Sequence, residues 1–133
     1  MKLNILLVED DELEAMKFNR ALNKLGFSHT ITRAKNGEEA LNLAKDKKPN
    51  LILLDLNMPK MNGLEFLSIL KSDDNHKFIP IIIFSTSNNQ VDMLQAYKIG
   101  VAGYIVKPLD YKDYVEQIKR IIDYWTINEL VIK

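Results

Sequence analysis

The chain contains no cysteine, which excludes disulfides, thiolate zinc sites and thiol nucleophiles and is compatible with a reducing compartment. Glycine and proline are scarce, five and four in 133 residues, against an average combined share of roughly 12%; this argues against low-complexity and fibrous repeats. Neither sign of charge dominates, since 18 basic side chains balance 18 acidic ones. A direct nucleic-acid footprint would show as a basic patch with a high pI, so none is expected. Long apolar runs are missing as well: the longest near the start is Ile5 to Val8, too short for a signal-peptide core or a membrane span. The expectation is a cytoplasmic protein that binds neither nucleic acid nor membrane.

Of the residues present, 47% are hydrophobic, and a chain of this length buries roughly 68% of the surface its unfolded form exposes. One domain with its own core is expected. Four compact apolar runs, Ile5–Val8, Leu51–Leu54, Ile81–Phe84 and Tyr104–Val106, lack polar alternation, as strands do when helices cover both faces of a parallel sheet. A weaker fifth strand is placed at Ser28–Arg33. Helix-start signals lie between them: Asp10 or Asp11 before a Leu13, Met16, Leu22, Leu25 stripe, Asn36 before Glu38-Glu39, Asn62 before Leu67 and Leu70, and Asp110 before a stripe from Tyr114 to Trp125. The helix after Asn89 has only a narrow stripe of Val91, Leu94 and Ile99. Five strand-then-helix repeats predict a doubly wound α/β sandwich with right-handed crossovers.

In an open parallel sheet, ligands bind beyond the carboxyl ends of the strands, so the strand-end residues carry the chemistry. They are Glu9-Asp10-Asp11, Asp55, Ser85-Thr86 and Lys107-Pro108. Carboxylates brought together need compensation, and Mg²⁺ supplies it through one or two carboxylates while keeping waters for substrate oxygens to replace. Lys107 adds a second positive charge. Helix capping explains Asp10 and Asp11 but neither Asp55 nor Lys107.

The blocks Val8-Glu9-Asp10-Asp11, Asp55-Leu56-Asn57-Met58-Pro59-x-Met61-x-Gly63, Phe84-Ser85-Thr86 and Gly103-Tyr104-Ile105-Val106-Lys107-Pro108, in this order, resemble the receiver domain of two-component response regulators. The resemblance implies a flavodoxin-like fold, a five-stranded parallel sheet in order 2-1-3-4-5. It also implies a phosphoryl group accepted on Asp55 from a sensor histidine kinase. Mg²⁺ would be held directly by Asp10 and Asp55, through water by Glu9, and by the backbone carbonyl of Asn57. Ser85, with Thr86 as the reserve, and Lys107 would bind the phosphoryl oxygens, and Pro108 would follow Lys107 in a cis turn, an ordinary trans loop being the statistical default. Tyr104 would be the switch aromatic, the other reading being an ordinary strand residue with its hydroxyl in water. Asn57 and Ser87 would flank the water that removes the phosphoryl group.

Residues 1–123 are read as the receiver domain and 124–133 as an extension of the last helix plus an apolar tail, too short for a DNA-binding output domain. That tail either packs over its own domain or forms a homodimer or partner face. Together with the Phe84-Ser85-Thr86-Ser87 block it resembles stand-alone regulators paired with phytochrome-type sensor kinases, which implies a downstream protein target. His29 and His76 lack metal-ligand spacing and are expected to be solvent-exposed. A haloacid-dehalogenase-like phosphatase would need a second aspartate where Asn57 stands. A flavodoxin-like FMN carrier would meet a repelling Glu9-Asp10-Asp11 loop. A phosphorylation-independent interaction module on the same scaffold remains the alternative.

Overall fold

The computed structural model describes residues 2–58 and 61–131. Pro59 of the central motif and the last two tail residues, Ile132 and Lys133, lie outside the described residues. Five strands alternate with five helices: β1 (Asn4–Val8), α1 (Glu12–Leu25), β2 (Thr30–Ala34), α2 (Gly37–Lys47), β3 (Leu51–Leu54), α3 (Gly63–Lys71), β4 (Ile81–Ser85), α4 (Gln90–Ile99), β5 (Gly103–Val106) and α5 (Tyr111–Thr126). All strand pairs are parallel, in order β2-β1-β3-β4-β5. The fold is the flavodoxin-like sandwich that the sequence predicts.

The unbroken apolar runs have a simple cause. Successive side chains of a strand point to opposite faces, and both faces are covered. Leu6, Val8, Ile52, Leu54, Ile81 and Ile83 join a core that includes Phe66, Leu67 and Leu70 of α3. Ile5, Leu7, Leu51, Leu53, Ile82 and Phe84 join the opposite core with Phe18 and Leu22 of α1 and Ile118, Ile121 and Ile122 of α5. Each helix starts on a side chain that accepts backbone N–H bonds, namely Asp11, Asn36, Asn62, Asn89 and Asp110.

Several expectations need correction. On α1, Leu13 is 74% and Met16 56% exposed, and the inward face is Ala15, Phe18, Ala21 and Leu22. At 100° per residue, Leu13 lies nearly opposite Ala15, so the packed face carries Ala15 and Ala21 beside Phe18 and Leu22, with Leu25 packed at its edge. On α4, Val91 and Leu94 are likewise exposed and only Ala96 is buried. The second strand sits one to two residues later than placed from sequence. No peptide among the described residues is cis, so Pro108 follows a trans bond, the form favoured by about 0.5–1 kcal/mol. Neither histidine is simply exposed: His29 Nδ1 accepts the Leu3 N–H at 2.8 Å, and His76 Nδ1 lies 3.0 Å from Asp73 Oδ2.

Helix α5 runs without a break through residue 123 to Thr126. Beyond it Leu130, with Trp125, packs against the core on the α1 and α5 side, while Ile127 and Val131 are exposed. Among the described residues no helix is long and apolar enough to cross a membrane.

Candidate functional site

The chain leaves β1 towards β2 on one side and returns to β3 on the other, and this reversal of strand order opens a crevice at the carboxyl ends of β1 and β3. The sheet ladder continues one residue past the strands. Glu9 N–H bonds Ala34 O at 3.0 Å, Asp55 N–H bonds Val8 O at 3.0 Å, and Lys107 N–H bonds Ser85 O at 2.8 Å. Three of the expected site residues therefore hang from anchored backbone.

Oxygen atoms of Glu9, Asp10 and Asp55 all lie within 4.8 Å of one another. This donor set is hard and all-oxygen, the kind that suits Mg²⁺ or Mn²⁺. Lys107 is buried beside it, 8% exposed, and Glu9 is 4% exposed. Lys107 Nζ donates to Glu9 Oε1 at 2.6 Å and to Glu14 Oε1 at 3.1 Å. Burial pushes Glu9 up to about 7, with the Lys107 hydrogen bond and charge opposing and the Asp55 charge adding to it. Burial also disfavours the Lys107 ammonium, but the Glu9 hydrogen bond and charge, the Asp55 charge and the Glu14 bond outweigh it and hold the amine above its usual range.

Ser85 is fully buried at the end of β4, and its Oγ accepts the Ser87 N–H at 3.3 Å. Thr86 is exposed. Tyr104 is half-buried: it packs against the core that includes α3, and its hydroxyl donates to Ser87 O at 2.9 Å. Ser87 Oγ in turn donates to Asp92 Oδ2 at 3.1 Å. Asn57 is exposed two residues after Asp55. Gly63 opens α3 directly against this loop, where an added Cβ would stand 2.7 Å from Asp55 O.

Two residues of the site went unread in the sequence. Arg33 at the end of β2 donates to the backbone carbonyls of Glu9 at 2.9 Å and Asp10 at 3.1 Å, and pairs with Glu12 at 2.9 Å. It straps the acidic loop, and a lone arginine in a strand gives no sign of that. Glu14 stands three residues after the cap Asp11, where a glutamate normally signals a capping box.

The family model for the response regulator receiver domain matches residues 5–119. The chain belongs to the response regulator receiver family. Receiver domains are signalling proteins rather than metabolic enzymes, and they bind a divalent cation at an acidic site. The polar-differentiation response regulator DivK of Brucella anthropi is 36% identical over 119 residues, covering 90% of this receiver chain and 95% of DivK. The Mn²⁺-bound form of response regulator Rcp1 superposes with a TM-score of 0.88 at 30% identity, covering 98% of this chain and 99% of that one. The phosphorylated cyanobacterial phytochrome response regulator RcpA gives 0.91 at 31% identity, over 99% of this chain and all of that one.

Proposed function

We propose that this receiver domain accepts a phosphoryl group on Asp55 from a sensor histidine kinase and relays the change to a downstream protein. The observation that carries the reading is the convergence of Glu9, Asp10 and Asp55 within 4.8 Å beside a buried Lys107. An aspartate carboxylate is an anion at neutral pH, so it needs no general base to attack phosphorus. One Asp55 oxygen bonds to phosphorus as the bond to the donor breaks, and the leaving group departs with that electron pair. What the site must provide is alignment and cancellation of the charge on the equatorial oxygens.

Asp10 and Asp55 would hold Mg²⁺ directly, Glu9 would hold it through water, and the Asn57 carbonyl would be the fourth protein donor. When bound, the cation supplies charge neutralisation at the phosphoryl oxygens. Lys107 supplies the second positive charge, and the Ser85 hydroxyl, whose proton is left free by its bond to Ser87 N–H, donates to a phosphoryl oxygen. Asn57 and Ser87 flank the path of the water that removes the group.

Tyr104 is the switch residue. A phosphoryl group adds up to about two negative charges and draws Ser85 and its loop; Tyr104 is tied to the same loop through Ser87 O. Movement of the loop shifts the population of states that present α4 and β5 to the partner. Likeness to phytochrome response regulators favours a phytochrome-type kinase. Residues 1–123 form the receiver unit, its last helix runs on to Thr126, and Trp125 and Leu130 cover part of its own core.

Incubation with a small acyl-phosphate donor, followed by intact mass measurement, tests the reading. A Mg²⁺-dependent phosphoryl adduct on the wild type that is missing from Asp55→Asn is the expected result. A folded protein that binds Mg²⁺ yet gains no phosphoryl group from this donor or from phosphorylated histidine kinases would make it an interaction module instead.

A further inference from the structure

Glu14 is placed where a capping box would have it reach back to the N–H of Asp11. It does not do so. The Asp11 N–H is taken by Glu9 Oε2 at 3.3 Å, while the Asp11 carboxylate caps Leu13 N–H at 2.8 Å and Glu14 N–H at 3.2 Å. Released from the cap, the Glu14 side chain turns inward to Lys107 Nζ at 3.1 Å. Such a departure from a local rule marks a place where another constraint prevails. Glu9, Glu14, Asp55 and Lys107 line one cavity of about 10 Å³, room for about one water.

We propose that Glu14 is a positioning residue that holds the Lys107 ammonium at the α1 wall of the site and so restrains it from the phosphoryl group on Asp55. This rests on the phosphoacceptor reading above. An ammonium has three donors, and here two of them point to Glu9 and Glu14 rather than to Asp55. Glu9 belongs to the acidic cluster, where a bound cation would compete with Lys107 for its carboxylate. Glu14 is outside the cluster, so its grip persists in the metal-loaded protein. Charge-assisted hydrogen bonds are roughly twice as strong as neutral ones, and this one must loosen before Lys107 serves the incoming phosphoryl oxygens. Glu14 thereby slows formation of the Asp55 Oδ–P bond, in which the donor carboxylate leaves with the electron pair, and shortens the life of the product.

The test uses Glu14→Gln, which keeps the shape and removes the charge, with Glu14→Ala as the second variant. With Mg²⁺ and a small acyl phosphate, adduct formation is expected to be on the order of three- to tenfold faster than in the wild type, and decay slower. The ¹⁵Nζ resonance of Lys107 is expected to shift in both variants before any donor is added. Equal or slower adduct formation overturns the restraint, and an unshifted Lys107 resonance overturns the contact itself. A wild type that takes no phosphoryl group counts against the phosphoacceptor reading, and the Lys107 resonance then decides on Glu14 alone.

Discussion

Glu9 shows how burial sets the behaviour of a single residue. In the folded protein it keeps its proton up to about pH 7, whereas an ordinary glutamate loses it near 4.5. Between those values the folded state binds more proton than the unfolded chain, so the stability of the metal-free protein falls as pH rises through that window. The loss is on the order of 1–3 kcal/mol. Urea unfolding in a chelating buffer from pH 5 to 8 checks this, and Glu9→Gln should flatten the slope; a rise in stability over the same range would refute the burial account. At Gly63 the constraint is space. A Cβ there meets Asp55 O at 2.7 Å and Leu56 Cα at 2.8 Å, both backbone atoms of the loop after β3 that have little room to yield. Gly63→Ala is expected to cost on the order of 1–3 kcal/mol by urea unfolding and to slow phosphorylation of Asp55.

Among the elements, β5 and α4 are the least embedded. Helix α4 buries only Ala96, and β5 is an edge strand whose Val106 is exposed. Such lightly packed pieces are drawn from the low-stability end of a fold, where a small change at the site is most easily transmitted. The link is the hydrogen-bonded series from Tyr104 hydroxyl to Ser87 O and from Ser87 N–H to Ser85 Oγ. Tyr104→Phe removes one bond and should cost about 1 kcal/mol. Tyr104→Ala should leave phosphorylation of Asp55 intact but shrink the amide chemical-shift changes that phosphorylation produces across α4 and β5. Shifts of wild-type size would remove Tyr104 from the switch.

At the scale of the molecule, the acidic cluster works against the fold until a cation joins it. Mg²⁺ at about 100 times its dissociation constant should stabilise the protein by about 2.7 kcal/mol, read as a rise in Tm that Asp10→Asn abolishes. The sheet and the strand-end acids were legible in the sequence because both depend on local pattern: four apolar runs, each followed by a charged or hydroxyl residue. The face of α1 was legible only in part: Leu22 and Leu25 do pack on the core, but Ala15, Phe18 and Ala21 share that face while Leu13 and Met16 turn outward, and composition alone does not rank them. Arg33 and Glu14 were missed because their partners are distant in sequence, Lys107 lying 93 residues from Glu14. Whether Asp55 itself carries the phosphoryl group is decided by borohydride reduction of the phosphorylated protein followed by peptide sequencing in a mass spectrometer. Homoserine at position 55, formed only with donor and Mg²⁺, is the predicted result; homoserine elsewhere with an unmodified Asp55 would contradict the account.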